Sequence, residues 1–206
     1  RGHRQHVLPQ HAAGHPGAQV AAPADVGGAG QAELRIRTPG ARVGIFDDGA
    51  GPHGEGDARA VDDAGIEIAA EAVGLGQAAL ERAAIYAKER VVFDRPIGKN
   101  QAIQHPLAVN WMELEAAYLM VFKAASLYDQ GKSCGAEANS AKYLAAEAAF
   151  SACQQAVRTH GGMGYAKEYH VERYLREIMI PVIAPVSQEM VKSFIGEQVL
   201  GQEKSY

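Results

Sequence analysis

Two loops carry residue types suited to chemistry. The first is Arg158 to Tyr165, "RTHGGMGY", which follows an alanine-rich run. A glycine pair there stops a helix with a left-handed cap. It also lets a ligand approach the backbone, because no side chain intervenes. The second loop is "ERVVFDRPIG", in which Arg90 and Arg95 flank Phe93 in a turn. Guanidinium forks suit diphosphate oxygens, and an aromatic ring supports the apolar part of a ligand. A plainer role exists for this loop too. Arg90 suits a helix C-terminus and Pro96 ends the helix.

Both loops need helices to hold them. From Ile66 to Arg90 the chain is rich in alanine, leucine, glutamate and lysine. Ile66, Ala69, Ala70, Val73 and Leu80 fall along one side, which is helical periodicity. Gly74 and Gly76 inside this run each cost about 1 kcal/mol relative to alanine, so close packing of another backbone is the expected reason for them. A second helix is expected from Gln101 to Tyr128, with Leu107, Trp111, Leu114, Leu119, Met120 and Val121 as its apolar positions. A third, alanine-dense, is expected from Ala136 to Thr159, a short one from Val171 to Ile180, and a last from Ser187 to Leu200. Long helices, short loops and no strand signal predict an all-α antiparallel helical bundle over residues 66–206.

Residues 1–65 read differently. They hold 13 of the 23 glycines and 5 of the 9 prolines but no lysine, tyrosine or tryptophan. Such a segment buries little apolar area, so ordering entropy dominates and a largely disordered N-terminal segment is expected. "ELRIRT" and "ARVGIF" around a Pro-Gly turn read at most as a lone, marginal hairpin. His3, His6, His11 and His15 match no zinc spacing, so no metal site is expected. The mixture of Ala, Gly, Arg, Pro and His is what GC-rich DNA yields out of frame. The hypothesis is that residues 1 to about 65 are an out-of-frame or mis-joined product. Translating the coding DNA upstream of Ile66 in all three frames tests it; a single open frame defeats it.

The net charge of -4 over 206 residues gives no reason to expect nucleic acid. No unbroken apolar run approaches the roughly 20 residues of a membrane span. Cys134 and Cys153 form neither a disulfide framework nor a zinc pattern, which points to a reducing cytoplasm.

"YAKERVVFDRPIGKNQAIQH", "AKYLAAEAAF", "HGGMGYAKEYHVERYLRE" and "IAPVSQEM", in that order and spacing, resemble the C-terminal helical domain of the acyl-CoA dehydrogenases. The resemblance covers about residues 66–206 and implies a fragment of such a flavoprotein. Family members oxidise an acyl-CoA thioester to the trans-2-enoyl-CoA. They pass electrons to an electron-transfer flavoprotein and assemble as homo-oligomers in which this bundle meets a neighbour's FAD. The resemblance carries FAD contacts onto Arg90, Phe93 and Gln101. It carries more onto Arg158, which stands where the family has glutamine, and onto Gly161, Gly162 and Ser187. The family's catalytic glutamate sits in one of two places. In this chain those places hold Ala64, followed by Gly65, and Pro185, neither of which can take a proton. Glu67, three residues beyond Ala64 on the same helix, is the one substitute base. Two further readings stand beside the enzyme fragment: a non-catalytic bundle acting as an assembly or partner-binding module, and a flavin-dependent hydroxylase of similar fold.

Overall fold

The computed structural model describes residues 55–204. The expected N-terminal hairpin, the four clustered histidines and residues 1–54 of the expected disordered segment lie outside the described residues, while residues 55–65 of that segment are helical, not disordered.

Three long helices form the framework. Helix α1 spans Glu55–Glu89, α2 Gln101–Asp129 and α3 Gly135–His160. Gly65 lies against Ala138, Gly76 against Ala149, and Tyr86 stacks on His160. Residue numbers on α1 and α3 therefore rise together, so these two helices run parallel. Asn110 bonds to Ser151 and Lys123 pairs with Glu137. Those numbers run in opposite senses, so α2 is antiparallel to α3. The result is the expected up-down-up bundle.

Small side chains make the core. Ala69, Ala72, Ala79 and Ala83 of α1 and Ala141, Ala145, Ala149 and Ala152 of α3 are fully buried. With only a methyl group at the contact, two helices approach closely and gain dispersion contacts along their whole length. All five apolar positions expected on the first helix are buried.

The structure corrects several expectations. Helix α1 begins at Glu55, not Ile66, so the change in composition does not mark its start. Ala58, Ala60 and Ala64 are good helix formers, and Glu55 and Asp57 lie in the first turn, where the helix dipole favours acids. On α2, Leu114 and Val121 are buried, but Trp111 and Leu119 are exposed. That helix is apolar on two faces, and periodicity does not say which one turns inward. The expected fourth helix splits into α4 (Val171–Glu177) and α5 (Met179–Ile183). The last divides into α6 (Gln188–Phe194) and a wider turn over Ile195–Val199. By length and mean hydropathy residues 171–199 would pass for a membrane crossing, yet the loop 184–187 interrupts them.

The chain also holds a strand pair that its sequence did not announce. Strand β1 (Val91–Val92) pairs antiparallel with β2 (Arg95–Pro96). Two-residue strands are too short for any alternation to show.

Candidate functional site

The β1–β2 hairpin turns on Phe93 and Asp94, with φ of 52° and 59°. Both residues are left-handed, as a two-residue hairpin turn requires. Asparagine and glycine usually fill such places. A phenylalanine there is strained, by about 1–3 kcal/mol. Its ring gains nothing from the chain in return, because Phe93 is 93% exposed. Arg90, which follows α1, is exposed beside it, and so is Gln101, the first residue of α2. Arg95 is engaged: its guanidinium donates to Asn100 Oδ1 at 2.6 Å, and the Asn100 amide donates to the Ile97 carbonyl at 3.0 Å. Of the two arginines flanking the aromatic, Arg90 is therefore the one placed for a ligand, while Arg95 braces the hairpin.

The three glycines of "GGMGY" separate by their surroundings. Gly161 caps α3 with φ 60° and ψ -132°, a conformation that side chains avoid. A Cβ on Gly164 would collide with the Val157 backbone, so that glycine serves internal packing. Gly162 has neither reason. Its φ is not positive, and a Cβ there would meet nothing among the described residues within 4 Å. Neither strain nor crowding within this chain requires glycine at 162. Arg158, one turn before the cap, is exposed.

His160 fixes this end of the bundle and was not singled out from sequence. It is buried, its ring stacks on Tyr86 at 4.2 Å, and Tyr169 meets it edge-on at 5.5 Å. Nδ1 lies 2.8 Å from the Ala156 carbonyl, which makes it the protonated nitrogen of the neutral ring. Burial pushes the His160 pKa below 6.5; the Ala156 carbonyl opposes this and the nearby Arg82 guanidinium adds to it. With a lowered folded value, the unfolded chain binds the proton first. Stability from this residue is thus present above about pH 6.5 and is lost as pH falls through the folded value. A His160→Phe chain keeps the ring stacking, so its melting temperature should fall less steeply than the parent's between neutral and mildly acidic pH. Parallel curves for the two chains would refute this.

Ser187 lies elsewhere. It caps α6, its Oγ accepting the Met190 N–H at 3.3 Å. Its two neighbours are tied to α3, the Val186 carbonyl to Lys142 and the Gln188 amide to Glu147. Those α3 residues precede Gly161 by four to five turns, which at 1.5 Å per residue is roughly 20 Å or more along the helix. The candidate residues therefore fall into two groups at opposite ends of α3. One holds Arg90, Phe93, Gln101, Arg158, Gly161 and Gly162; the other holds Ser187. Ala64 and Pro185 belong with Ser187. Gly65 meets Ala138, one turn from Lys142, so both places lie within about 10 Å along the bundle axis. Glu67 is half-buried on the same stretch of α1. Among the described residues no cluster of His, Cys, Asp or Glu could hold a metal.

Comparison with known proteins supplies the context. Residues 59–200 match the family model described as "Acyl-CoA dehydrogenase, C-terminal domain". An acyl-CoA dehydrogenase of Mycobacterium tuberculosis is 49% identical over 140 residues, covering 67% of this chain and 36% of that protein. The mitochondrial short-chain specific acyl-CoA dehydrogenase of Bos taurus is 41% identical over 141 residues, covering 68% and 34%. The butyryl-CoA dehydrogenase structure from Megasphaera elsdenii aligns with a TM-score of 0.68 at 37% identity, over 73% of this chain and 40% of that one. The chain thus spans little more than a third of the curated relatives it matches.

Proposed function

The chain belongs to the acyl-CoA dehydrogenase family through its C-terminal domain, and from that premise we propose that it is the FAD-contacting bundle of such an enzyme. The parent reaction is the α,β-dehydrogenation of an acyl-CoA thioester, with an electron-transfer flavoprotein as the next acceptor. Bound FAD supplies the hydride acceptor for that reaction.

The observation that carries the reading is Gly162. It is glycine although neither its backbone angle nor its neighbours require it, as expected where a ligand or partner backbone passes close. The surrounding groups fit the adenosine diphosphate end of FAD: Arg90 and Arg158 for the diphosphate, the Phe93 ring and the Gln101 amide for the rest. The separation of Ser187 from this group favours two half-sites. One bundle would touch a neighbour's FAD with its hairpin and glycine end, and its own FAD at Ser187. That arrangement requires a homo-oligomer. Val109, Met112 and Leu119, exposed at helical spacing on α2, supply an apolar stripe suited to self-association. Two buried free thiols suit a cytoplasmic setting.

Catalysis by this chain alone should be weak or absent, since Ala64 and Pro185 stand at the family's two base positions. Glu67 would have to substitute from a displaced origin on α1. These residues favour a second reading for the isolated chain, a non-catalytic bundle that assembles with full-length subunits.

FAD titration, read by the visible flavin band and by quenching of flavin fluorescence, tests the cofactor reading. Gly162→Val should leave the melting temperature almost unchanged, within the roughly 0.5 kcal/mol of an open surface site, while weakening FAD binding at least tenfold. No FAD uptake by the parent chain, or equal uptake by both chains, would overturn the reading.

A further inference from the structure

Lys142 is unusual for a helix whose buried face is otherwise almost all alanine. It is 2% exposed. Its ammonium donates to the Val186 carbonyl at 2.6 Å, across 44 positions of sequence. Among the described residues that carbonyl is its one hydrogen-bond partner. Burial pushes its pKa below the usual lysine value, with the charges of Glu189 and Glu147 opposing the shift. An apolar side chain of similar volume would fill the same space without the cost of taking a charge out of water. What lysine adds is direction, one charge-assisted bond to one carbonyl.

A second contact acts on the same loop. Gln188 is 5% exposed and its amide donates to Glu147 Oε1 at 3.1 Å, while its own Oε1 is buried without a partner. Residues 186 and 188 are thus both held against α3, and Ser187 lies between them.

The Val186–Ser187 peptide is trans, because among the described residues the one cis bond is Ala184–Pro185. In a trans peptide the carbonyl and the following N–H point in opposite directions. With the Val186 carbonyl drawn toward α3, the Ser187 N–H is turned away from it. That N–H has no hydrogen-bond acceptor among the described residues, whereas the Ser187 carbonyl accepts from Val191 and its Oγ from Met190.

We propose that Lys142 is a positioning residue that orients the Ser187 N–H as a donor to an oxygen or nitrogen acceptor of the bound cofactor. Lys142 does not touch the cofactor and acts through the Val186 carbonyl alone. The assignment rests on the flavin reading above.

The test uses the full 206-residue chain with Lys142→Met and Lys142→Arg. Hydrogen exchange of the backbone amides is the first readout. Lys142→Met should speed exchange at residues 187–191 by on the order of tenfold or more, the worth of a hydrogen bond to a charged group. Amides of α3 from 146 to 156 should stay as in the parent, and Lys142→Arg should recover much of the loss. Unchanged exchange at 187–191, or equal acceleration throughout α1 and α3, would overturn the proposal, since the second pattern is loss of core packing. Should Lys142→Met fail to fold, Lys142→Arg against Gln188→Leu gives the same local comparison.

FAD affinity is the second readout. Parent binding that weakens about tenfold in Lys142→Met supports the proposal. Equal affinity with altered exchange overturns the link from the brace to the cofactor. A parent that takes up no FAD overturns the flavin reading instead, and the exchange pattern then decides the brace alone.

Discussion

Gly76→Ala will destabilise the bundle by about 1–3 kcal/mol, while Gly74→Ala, two positions earlier on α1, will stabilise it by up to about 1 kcal/mol. Helix propensity alone predicts that both changes help equally. The neighbours reverse one of them. A Cβ at Gly76 would lie 2.7 Å from Leu114 Cδ2 and 2.8 Å from both the Cα and the Cβ of Ala149. The leucine tip can turn aside, but the Ala149 backbone can move only by displacing α3. A Cβ at Gly74 meets nothing among the described residues within 4 Å. For a chain of this size each kcal/mol shifts the melting temperature by about 2–4 °C, so thermal melts of the two variants separate the cases. Shifts of the same sign would mean that α1 and α3 do not approach as closely as described.

Leu114→Ala should cost about 2–5 kcal/mol. Leu114 is 1% exposed and is among the largest fully buried side chains of the described residues, in a core rich in alanine. Small neighbours have little length with which to close the gap, so the cost should fall in the upper half of that range. The two substitutions should also couple. The Gly76→Ala methyl group points at the space that Leu114→Ala vacates, so the double variant should be more stable than the sum of the two losses. A coupling of about 0.5–3 kcal/mol is expected for residues in contact. It will not be complete, because Ala149 still crowds the new methyl group. Strict additivity in chemical denaturation would show that the two positions do not meet.

The sequence by itself determined the helices, the direction of the first core face and the family. Alanine density and a 3.6-residue period are local properties, and Ile66, Ala69, Ala70, Val73 and Leu80 all proved buried. Separated segments in a fixed order named the family without any contact being known. The family match begins at residue 59 and α1 at Glu55, both ahead of the change in composition, because helix formers and acids at a helix start do not depend on complexity. The β1–β2 pair escaped notice because two residues show no alternation. Trp111 and Leu119 were expected inside, but α2 carries apolar residues on two faces and only its neighbours choose between them.

The tertiary structure alone decided what each glycine does. Gly74 and Gly76 read alike in sequence and differ in what stands opposite them. Gly161, Gly162 and Gly164 sit in one motif with three different reasons for being there. Lys142 and His160 carried no local signal, since burial of a charge or a ring is a property of the surrounding helices. The separation of Ser187 from the hairpin and glycine end also appears only once α3 is set as a rod between them. Composition and period report what each residue prefers. Distance along a helix and the identity of the opposing backbone arise only when the helices pack.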